Sequence, residues 1–196
     1  MTDEHHFFAL VSRLKYIERW ALMRSAKSEN LAEHSLEVAM IAHGLCTIGN
    51  VRYGRGLNAE MAALIGMYHD ASEIITGDMP TPVKYFNPEI RAAYAEVEHA
   101  AEERLLATLP DDLLPAYEKV FSHAEDDYLH RLVKAADKIS ALIKCVDEAH
   151  AGNAEFATAA QSTREALDSM ATELPEVADF LEEFLPSYGR TLDELL

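Results

Sequence analysis

The chain has 196 residues, of which 49% are hydrophobic, and it carries a formal net charge of −17. The length predicts a single domain over residues 1–196, and the hydrophobic content excludes a disordered chain. Because so acidic a surface repels nucleic-acid polymers and anionic membranes, we expect neither as a partner. A small anionic substrate is still compatible, since a metal and buried basic groups reverse the local field.

Helical signals follow one another along the chain, and the alternation typical of strands is absent. Asn30 and Asn58 are in N-cap positions, whereas Gly49-Asn50 and the two prolines of 77–82 are breakers. The fold class is therefore predicted to be all-α, a helical bundle. The predicted helices start near His6 and cover Leu31–Ile48, Asn58–Ile75, Ile90–Leu109, Tyr128–Ala149, Ala154–Ala171 and Val177–Phe184.

The N-terminus and the cysteines predict a cytoplasmic protein. Residues 1–6 are acidic and lack an apolar signal core, and no run of 18 apolar residues is present. Cys46 and Cys145 lie in helix-like segments, as expected of reduced core thiols.

Four residues with metal-binding chemistry stand out: His34, the adjacent His69 and Asp70, and Asp137. Two imidazole nitrogens and two carboxylate oxygens suit a divalent transition metal better than Ca²⁺ or Mg²⁺. A lone histidine on an apolar helix is more often a core residue, and Asp137 could face solvent. The pair is harder to dismiss, because a charged Asp70 in so apolar a segment is costly to bury unpaired.

Four motifs resemble the bacterial HD-domain 5′-deoxynucleotidases, a group of HD-domain metal-dependent phosphohydrolases. The motifs are Arg19-Trp20, Glu33-His34-Ser35, Tyr68-His69-Asp70-Ala71-Ser72-Glu73 and Gly77-Asp78-Met79-Pro80-Thr81-Pro82. Met79 replaces the usual Leu and keeps its volume. The resemblance covers nearly the whole chain and implies an HD-type bundle that forms a homodimer. It also implies hydrolysis of 2′-deoxyribonucleoside 5′-monophosphates to deoxynucleoside and phosphate, with one divalent cation such as Co or Mn.

The resemblance also implies roles for individual residues. The metal ligands are His34, His69, Asp70 and Asp137. Physical reasoning adds Glu73, expected on the helix face that presents His69 and Asp70, as the candidate general base or the group that positions the nucleophilic water. Arg19 is the candidate phosphate clamp, and Asp78 contacts the sugar or the leaving-group oxygen, so both are also catalytic candidates. The substrate-binding set is Arg19, Trp20, Asp70, Asp78, Met79, Pro80, Thr81 and Asp137.

Alternatives to these roles stay open at this point. Trp20 is read as a wall against a ribose 2′-hydroxyl but could simply pack in the core, and Arg19 or Glu73 could be surface residues. A second metal would draw on His99, His123 and His130. Rival functions are another nucleotide phosphohydrolase of the same superfamily, or a non-catalytic nucleotide sensor.

Overall fold

The structure is a computed structural model that describes residues 4–121 and 127–196. The described residues form helices and no named strand, so the all-α prediction is confirmed. None of the helices described there is long and apolar enough to cross a membrane. The α-helices are α1 (Phe7–Val11), α2 (Leu31–Tyr53), α3 (Ala59–Tyr68), α4 (Glu73–Thr76), α5 (Thr81–Lys84), α6 (Pro88–Leu106), α7 (Leu114–Phe121), α8 (Tyr128–His150), α9 (Ala157–Ala171), α10 (Pro175–Glu183) and α11 (Leu192–Leu195). Short 3-10 helices cover Ser12–Tyr16, Ala154–Phe156 and Leu185–Ser187.

Backbone contacts divide the described chain into two compact units. The first contains residues 4–24, 28–35 and 68–121. Its centre is an aromatic cluster in which the buried ring of Phe7 lies 4.8 Å from Tyr117 and 6.4 Å from Phe121. Tyr68, the residue before His69, packs against the same cluster, 6.2 Å from Phe7. The hydrophobic core of this unit therefore extends directly to the start of the His-Asp pair.

The second unit contains residues 25–27, 36–67 and 127–196. Its core consists of buried aliphatic and aromatic side chains of α2, α8, α9 and α10, together with Phe156. Within it α2 and α3 approach closely, since a Cβ on Gly66 would lie 3.0 Å from the backbone of Ala39. Cys46 and Cys145 are buried and free, as expected, and burial with the nearby Glu176 raises the pKa of Cys46 to about 12.

The prediction of one helix over 58–75 is wrong in its second half. Helix α3 ends at Tyr68, and α4 begins only at Glu73. Between them the backbone tightens, because Ala71 N–H donates to Tyr68 O at 3.0 Å and Glu73 N–H to Asp70 O at 3.0 Å. His69 and Asp70 thus lie in a turn, and no glycine or proline marks that turn in the sequence.

Two breaker residues act differently from the prediction. Helix α2 continues through Gly49 to Tyr53, and the missing side chain leaves room for Glu176, whose Oε1 would lie 2.8 Å from a Cβ there. Pro82 lies in the first turn of α5, inside a segment predicted to be a loop. A proline is tolerated there because first-turn N–H groups have no partner within the helix.

Candidate active site

Three of the four predicted metal ligands converge in the first unit. His34 follows the Asn30 N-cap in the first turn of α2, where Asn30 Oδ1 accepts from the N–H groups of Ala32 and Glu33 at 3.0 and 3.1 Å. His69 and Asp70 come from the turn after α3. One ligand atom from each of His34, His69 and Asp70 lies within 4.8 Å of the other two. The adjacency noticed in the sequence is therefore matched by a cluster of donors in space.

The donor set fits a divalent transition metal. Asp70 Oδ2 lies 3.0 Å from His69 Nε2 and 3.5 Å from His34 Nε2, so two imidazole nitrogens face one carboxylate oxygen. Mixed nitrogen and oxygen ligands at such spacing are typical of zinc, cobalt or manganese sites rather than of all-oxygen calcium sites. His34 is fully buried, which pre-orients its ring.

The two carboxyl groups beside this cluster have opposite pKa shifts. Burial tends to raise the pKa of Asp70, but His69 and His34 more than offset burial and hold that pKa well below its usual range. Burial also raises the pKa of Glu73, and the charges of Asp70 and Asp78 add to the effect, so that it reaches about 9. A bound cation would favour the ionised form of Glu73.

Glu73 has the surroundings of a proton-transfer group. It is the first residue of α4, it is buried, and its Oε2 has no hydrogen-bond partner among the described residues. Burying a carboxylate oxygen without a hydrogen-bond partner costs free energy unless a ligand or a water molecule donates a hydrogen bond to it. The expectation that one helix face presents Glu73 with His69 and Asp70 was wrong, because the turn at 69–72 interrupts the helix.

The predicted phosphate and sugar residues, Arg19 and Trp20, lie in a short connection of the same unit. Arg19 Nη1 donates to Glu29 Oε2 at 2.7 Å, and Trp20 Nε1 donates to the same oxygen at 2.9 Å. Trp20 N–H donates to Asp78 Oδ2 at 3.2 Å. The structure thus brings Trp20 and Asp78 into contact although they are far apart in sequence.

Asp78, and with it the start of the predicted loop, is held at the end of α4. Gly77 has a φ of +74°, a conformation that favours glycine, and its N–H donates to Glu73 O at 2.8 Å. Burial raises the pKa of Asp78, although Arg19 and the Trp20 N–H act against it. Met79 and Pro80 are half-buried, and Thr81 is exposed at the first turn of α5.

Asp137, the fourth predicted ligand, is half-buried on α8 in the second unit, and its ligand role remains a prediction. His99 is exposed and lies near Glu102 and Glu103, and His130 lies 3.4 Å from Asp127. Among residues 4–121 and 127–196, the one group of three metal donors is His34, His69 and Asp70. His123, the remaining candidate for a second metal, lies outside the described residues.

Glu29 was missed by the sequence reasoning. Its segment was read as a turn and cap, and that part of the prediction is confirmed by the hydrogen bonds that Asn30 Oδ1 accepts. Nothing local marks Glu29 as different from other acidic residues, of which the chain has many. Its role depends on a contact with Arg19 and Trp20 that only the fold creates.

Comparison with solved structures first identifies the class of protein. The structure is similar to the crystal structure of an HD-domain phosphohydrolase from Listeria innocua, with a TM-score of 0.82 and 26% sequence identity, over 93% of this chain and 88% of that chain. The chain therefore shares the fold of an HD-domain phosphohydrolase.

Sequence comparison then identifies a narrower family within this class. Residues 6–188 match the family model described as 5′-deoxynucleotidase YfbR-like, and the chain belongs to that family. It is 49% identical to a 5′-deoxynucleotidase from Vibrio cholerae serotype O1, over 98% of this chain and 99% of that protein. It is 45% identical to 5′-deoxynucleotidase YfbR from Escherichia coli O1:K1, over 98% of this chain and 96% of the relative. The resemblance inferred from the motifs is confirmed.

Proposed function

We propose that one divalent metal held by His34, His69, Asp70 and Asp137 serves the reaction of this chain, the hydrolysis of 2′-deoxyribonucleoside 5′-monophosphates. Family membership over almost the full length makes the chain a 5′-deoxynucleotidase, a phosphoric monoester hydrolase. The observation that carries the metal site is the convergence of three donors within 4.8 Å, next to the buried carboxyl of Glu73. The match over residues 6–188 supports a single domain.

When bound, such a metal supplies a Lewis acid for a phosphoryl oxygen and lowers the pKa of water. The chain's own groups do the rest. Arg19 binds phosphate oxygens through paired N–H groups and stays charged at any working pH. Glu73, once ionised, accepts the proton of the attacking water. Its burial and its oxygen without a partner support this role.

Asp78 faces the leaving side of the reaction in this proposal. Burial raises the pKa of its carboxyl, and in this role Asp78, once protonated, donates a proton to the departing 5′-oxygen. The same side chain could instead accept a hydrogen bond from the sugar, and the two roles predict different pH profiles for Asp78→Asn. Met79, Pro80 and Thr81 extend the substrate contact from Asp78 to the first turn of α5. Asp70 and Asp137 are proposed to bind the phosphate as well as the metal.

Trp20 supplies the wall beside the deoxyribose. An apolar pocket alone discriminates against an added hydroxyl by only ~10²-fold, so strict selectivity needs a rigid wall. The Trp20 indole is fixed by a hydrogen bond to Glu29, and its backbone by one to Asp78. These two contacts support a steric role for Trp20 rather than a purely packing role.

We further propose that the protein is cytoplasmic and forms a homodimer, with Co or Mn as the metal. Three apolar side chains of α2, Leu36, Met40 and Val51, are exposed by 54, 61 and 79%, which supports burial against a second copy. Sedimentation velocity checks the homodimer: the wild type should sediment as a dimer and Met40→Glu as a monomer. A monomeric wild type at micromolar concentration would contradict it.

The metal site is tested by paired substitutions of histidines inside and outside the donor group. His69→Ala should lose bound metal and phosphate release from dAMP together, while far-ultraviolet circular dichroism stays helical. His99→Ala is the matched control, because His99 is exposed outside the donor group, and it should keep both. Full metal content and full activity in His69→Ala would overturn the proposal.

A further inference from the structure

One carboxylate oxygen holds two of the residues proposed to contact the substrate. Glu29 Oε2 accepts from Arg19 Nη1 at 2.7 Å and from the indole Nε1 of Trp20 at 2.9 Å. The side chains of Arg19 and Glu29 are only 12% and 13% exposed, so these contacts are partly shielded from water. Hydrogen bonds to an ionised acceptor are shorter and stronger than neutral ones, more so away from solvent.

The backbone brings Glu29 to this position. Arg19 N–H donates to Glu29 O at 2.9 Å, Leu31 N–H donates to Ile17 O at 2.9 Å, and Glu18 and Asn30 form an isolated antiparallel bridge. The chain segments on either side of the Arg19–Glu29 contact are therefore held together by backbone hydrogen bonds. This backbone pairing, rather than a flexible loop, places the Glu29 carboxylate against the Arg19 guanidinium and the Trp20 indole.

Trp20 itself is held in an uncommon backbone conformation. Its φ is +62°, the only positive value for a non-glycine among the described residues. Such a conformation costs a bulky residue free energy and persists where the surroundings enforce it. At Trp20 the enforcing contacts are the backbone hydrogen bond to Asp78 and the indole hydrogen bond to Glu29.

We propose that Glu29 is a positioning residue that orients the Trp20 indole and the Arg19 guanidinium together, and thereby sets the preference of this site for 2′-deoxy over ribonucleotides. The proposal rests on the proposed function and adds to it a residue that touches neither substrate nor metal. Asp78 sets the tryptophan backbone, and Glu29 sets the direction of its ring. Without Glu29 the ring can rotate and leave room for a 2′-hydroxyl.

The effect on catalysis should fall on kcat more than on KM. Glu29 offsets part of the charge of Arg19, so its removal leaves ground-state attraction for phosphate intact. The guanidinium is then no longer held where charge develops in the reaction. Misplacing a positioned group by about 1 Å costs up to ~10²-fold in rate. A general loss of folding would instead lower the activity on both substrates by the same factor, because it reduces the amount of active enzyme.

The test compares Glu29→Leu, Glu29→Gln and a control, Glu18→Leu, with dAMP and AMP as substrates. Glu18 lies on the other side of the bridge and its side chain is exposed. Glu29→Leu should lower kcat for dAMP by ~10-fold or more with KM within ~3-fold, and shrink the dAMP-to-AMP ratio of kcat/KM. Glu29→Gln keeps an acceptor oxygen and should recover most of the ratio. Glu18→Leu should change neither.

Fluorescence gives a readout that does not depend on turnover. Trp20 is the only tryptophan, so its emission reports the indole environment directly. Glu29→Leu should shift the emission maximum and raise quenching by acrylamide, whereas Glu18→Leu should not. In a Trp20→Phe background, which lacks the indole N–H, Glu29→Leu should no longer change the dAMP-to-AMP ratio but should still lower kcat through Arg19.

The outcomes distinguish a failure of the role proposed for Glu29 from a failure of the proposed function. An active wild type, with an unchanged ratio and unchanged emission in folded Glu29→Leu, overturns the role of Glu29 and leaves the proposed function standing. A wild type that releases no phosphate from dAMP with any divalent metal overturns the proposed function, and the selectivity proposal with it.

Discussion

The environment of Glu73 strongly changes the pKa of its carboxyl. The side chain is buried near Asp70 and Asp78, whose charges add to the effect of burial and raise its pKa to about 9 in the metal-free protein. Sequence reasoning predicted Glu73 from its distance to His69, on the assumption of a continuous helix. The role of Glu73 stays a prediction, and a tight turn rather than a helix face brings the groups together.

The pH dependence of stability tests this environment. Because the folded metal-free chain keeps the Glu73 proton up to about pH 9 and the unfolded chain loses it near 4.5, the free energy of unfolding falls as the pH rises between these values. In the presence of a chelator, the Tm of the wild type should therefore fall more steeply than that of Glu73→Gln between about pH 6 and pH 9. Parallel Tm curves would contradict the raised pKa.

Glu73 should also separate catalysis from metal binding. Glu73→Gln should keep bound metal and substrate affinity yet lose at least ~10²-fold in kcat, the usual contribution of a general base. Metal analysis of the purified variant and steady-state kinetics with dAMP check this. A metal content that falls as far as the activity would make Glu73 a ligand or a structural group.

Asp137 is the predicted ligand that most needs a direct measurement. Asp137→Ala should lose metal and activity together, because a missing ligand lowers affinity for a divalent cation. Asp147→Ala is the matched control, since Asp147 is an exposed aspartate on the same helix, and it should retain both. Full occupancy in Asp137→Ala would remove this residue from the ligand set.

At the scale of the elements, capping and apolar periodicity predicted most helices, whereas tertiary contacts decided the exceptions. Asn58 caps α3 as expected, with Met61 N–H donating to its Oδ1 at 2.9 Å. Gly49 does not end α2, and its missing side chain makes space for Glu176 of α10, which is far away in sequence. A single sequence contains no local signal for such a contact.

Two glycines, one in α2 and one in α3, should have opposite effects on stability when they are replaced by alanine. A Cβ on Gly44 of α2 meets nothing within 4 Å, so Gly44→Ala should stabilise the protein by about 0.5–1 kcal/mol through helix propensity. A Cβ on Gly66 of α3 would lie 3.0 Å from the backbone of Ala39, so Gly66→Ala should destabilise by about 1–3 kcal/mol. Urea unfolding of the two variants measures both effects. A stabilised Gly66→Ala would refute the close approach of α2 and α3.

Helix α8 carries a buried ion pair that holds residues 25–27. Glu148 is 1% exposed and pairs with Lys144, and it also accepts hydrogen bonds from Ala26 N–H at 2.8 Å and Asn153 Nδ2 at 2.6 Å. Burial tends to raise the pKa of Glu148, but these partners outweigh burial and lower it to about 2. The stabilisation it provides is thus complete above 4.5 and is lost as the pH falls toward 2.

Substitutions in this pair should be strongly non-additive. Glu148→Gln should cost about 3–5 kcal/mol at neutral pH because it leaves the Lys144 ammonium buried without its counter-charge. It should also flatten the loss of stability in acid. The double variant Lys144→Met with Glu148→Gln should recover most of the loss, since it removes both charges of the buried pair and leaves neither one unpaired. Equal losses in the single and double variants, measured by urea unfolding, would argue against this account.

At the scale of the whole molecule, chemistry and fold agree on a phosphatase for small nucleotides. The net charge of −17 disfavours polymeric nucleic acid, whereas the proposed metal at His34, His69 and Asp70, together with Arg19, would supply local attraction for one phosphate. The helical content was predictable from local helix signals, and the HD-type class and the group of His34, His69 and Asp70 from motifs that resemble a known family. The contacts of Glu29 with Arg19 and Trp20 were not, because only the fold creates them.

Product analysis of purified wild-type protein with dAMP, AMP and dATP, with and without added Co²⁺ or Mn²⁺, decides whether this chain is a metal-dependent 5′-deoxynucleotidase. We expect inorganic phosphate and deoxyadenosine from dAMP, much slower release from AMP, and no triphosphate from dATP, with all activity lost to a chelator. Triphosphate from dATP, equal rates on dAMP and AMP, or turnover that survives complete metal removal would contradict it.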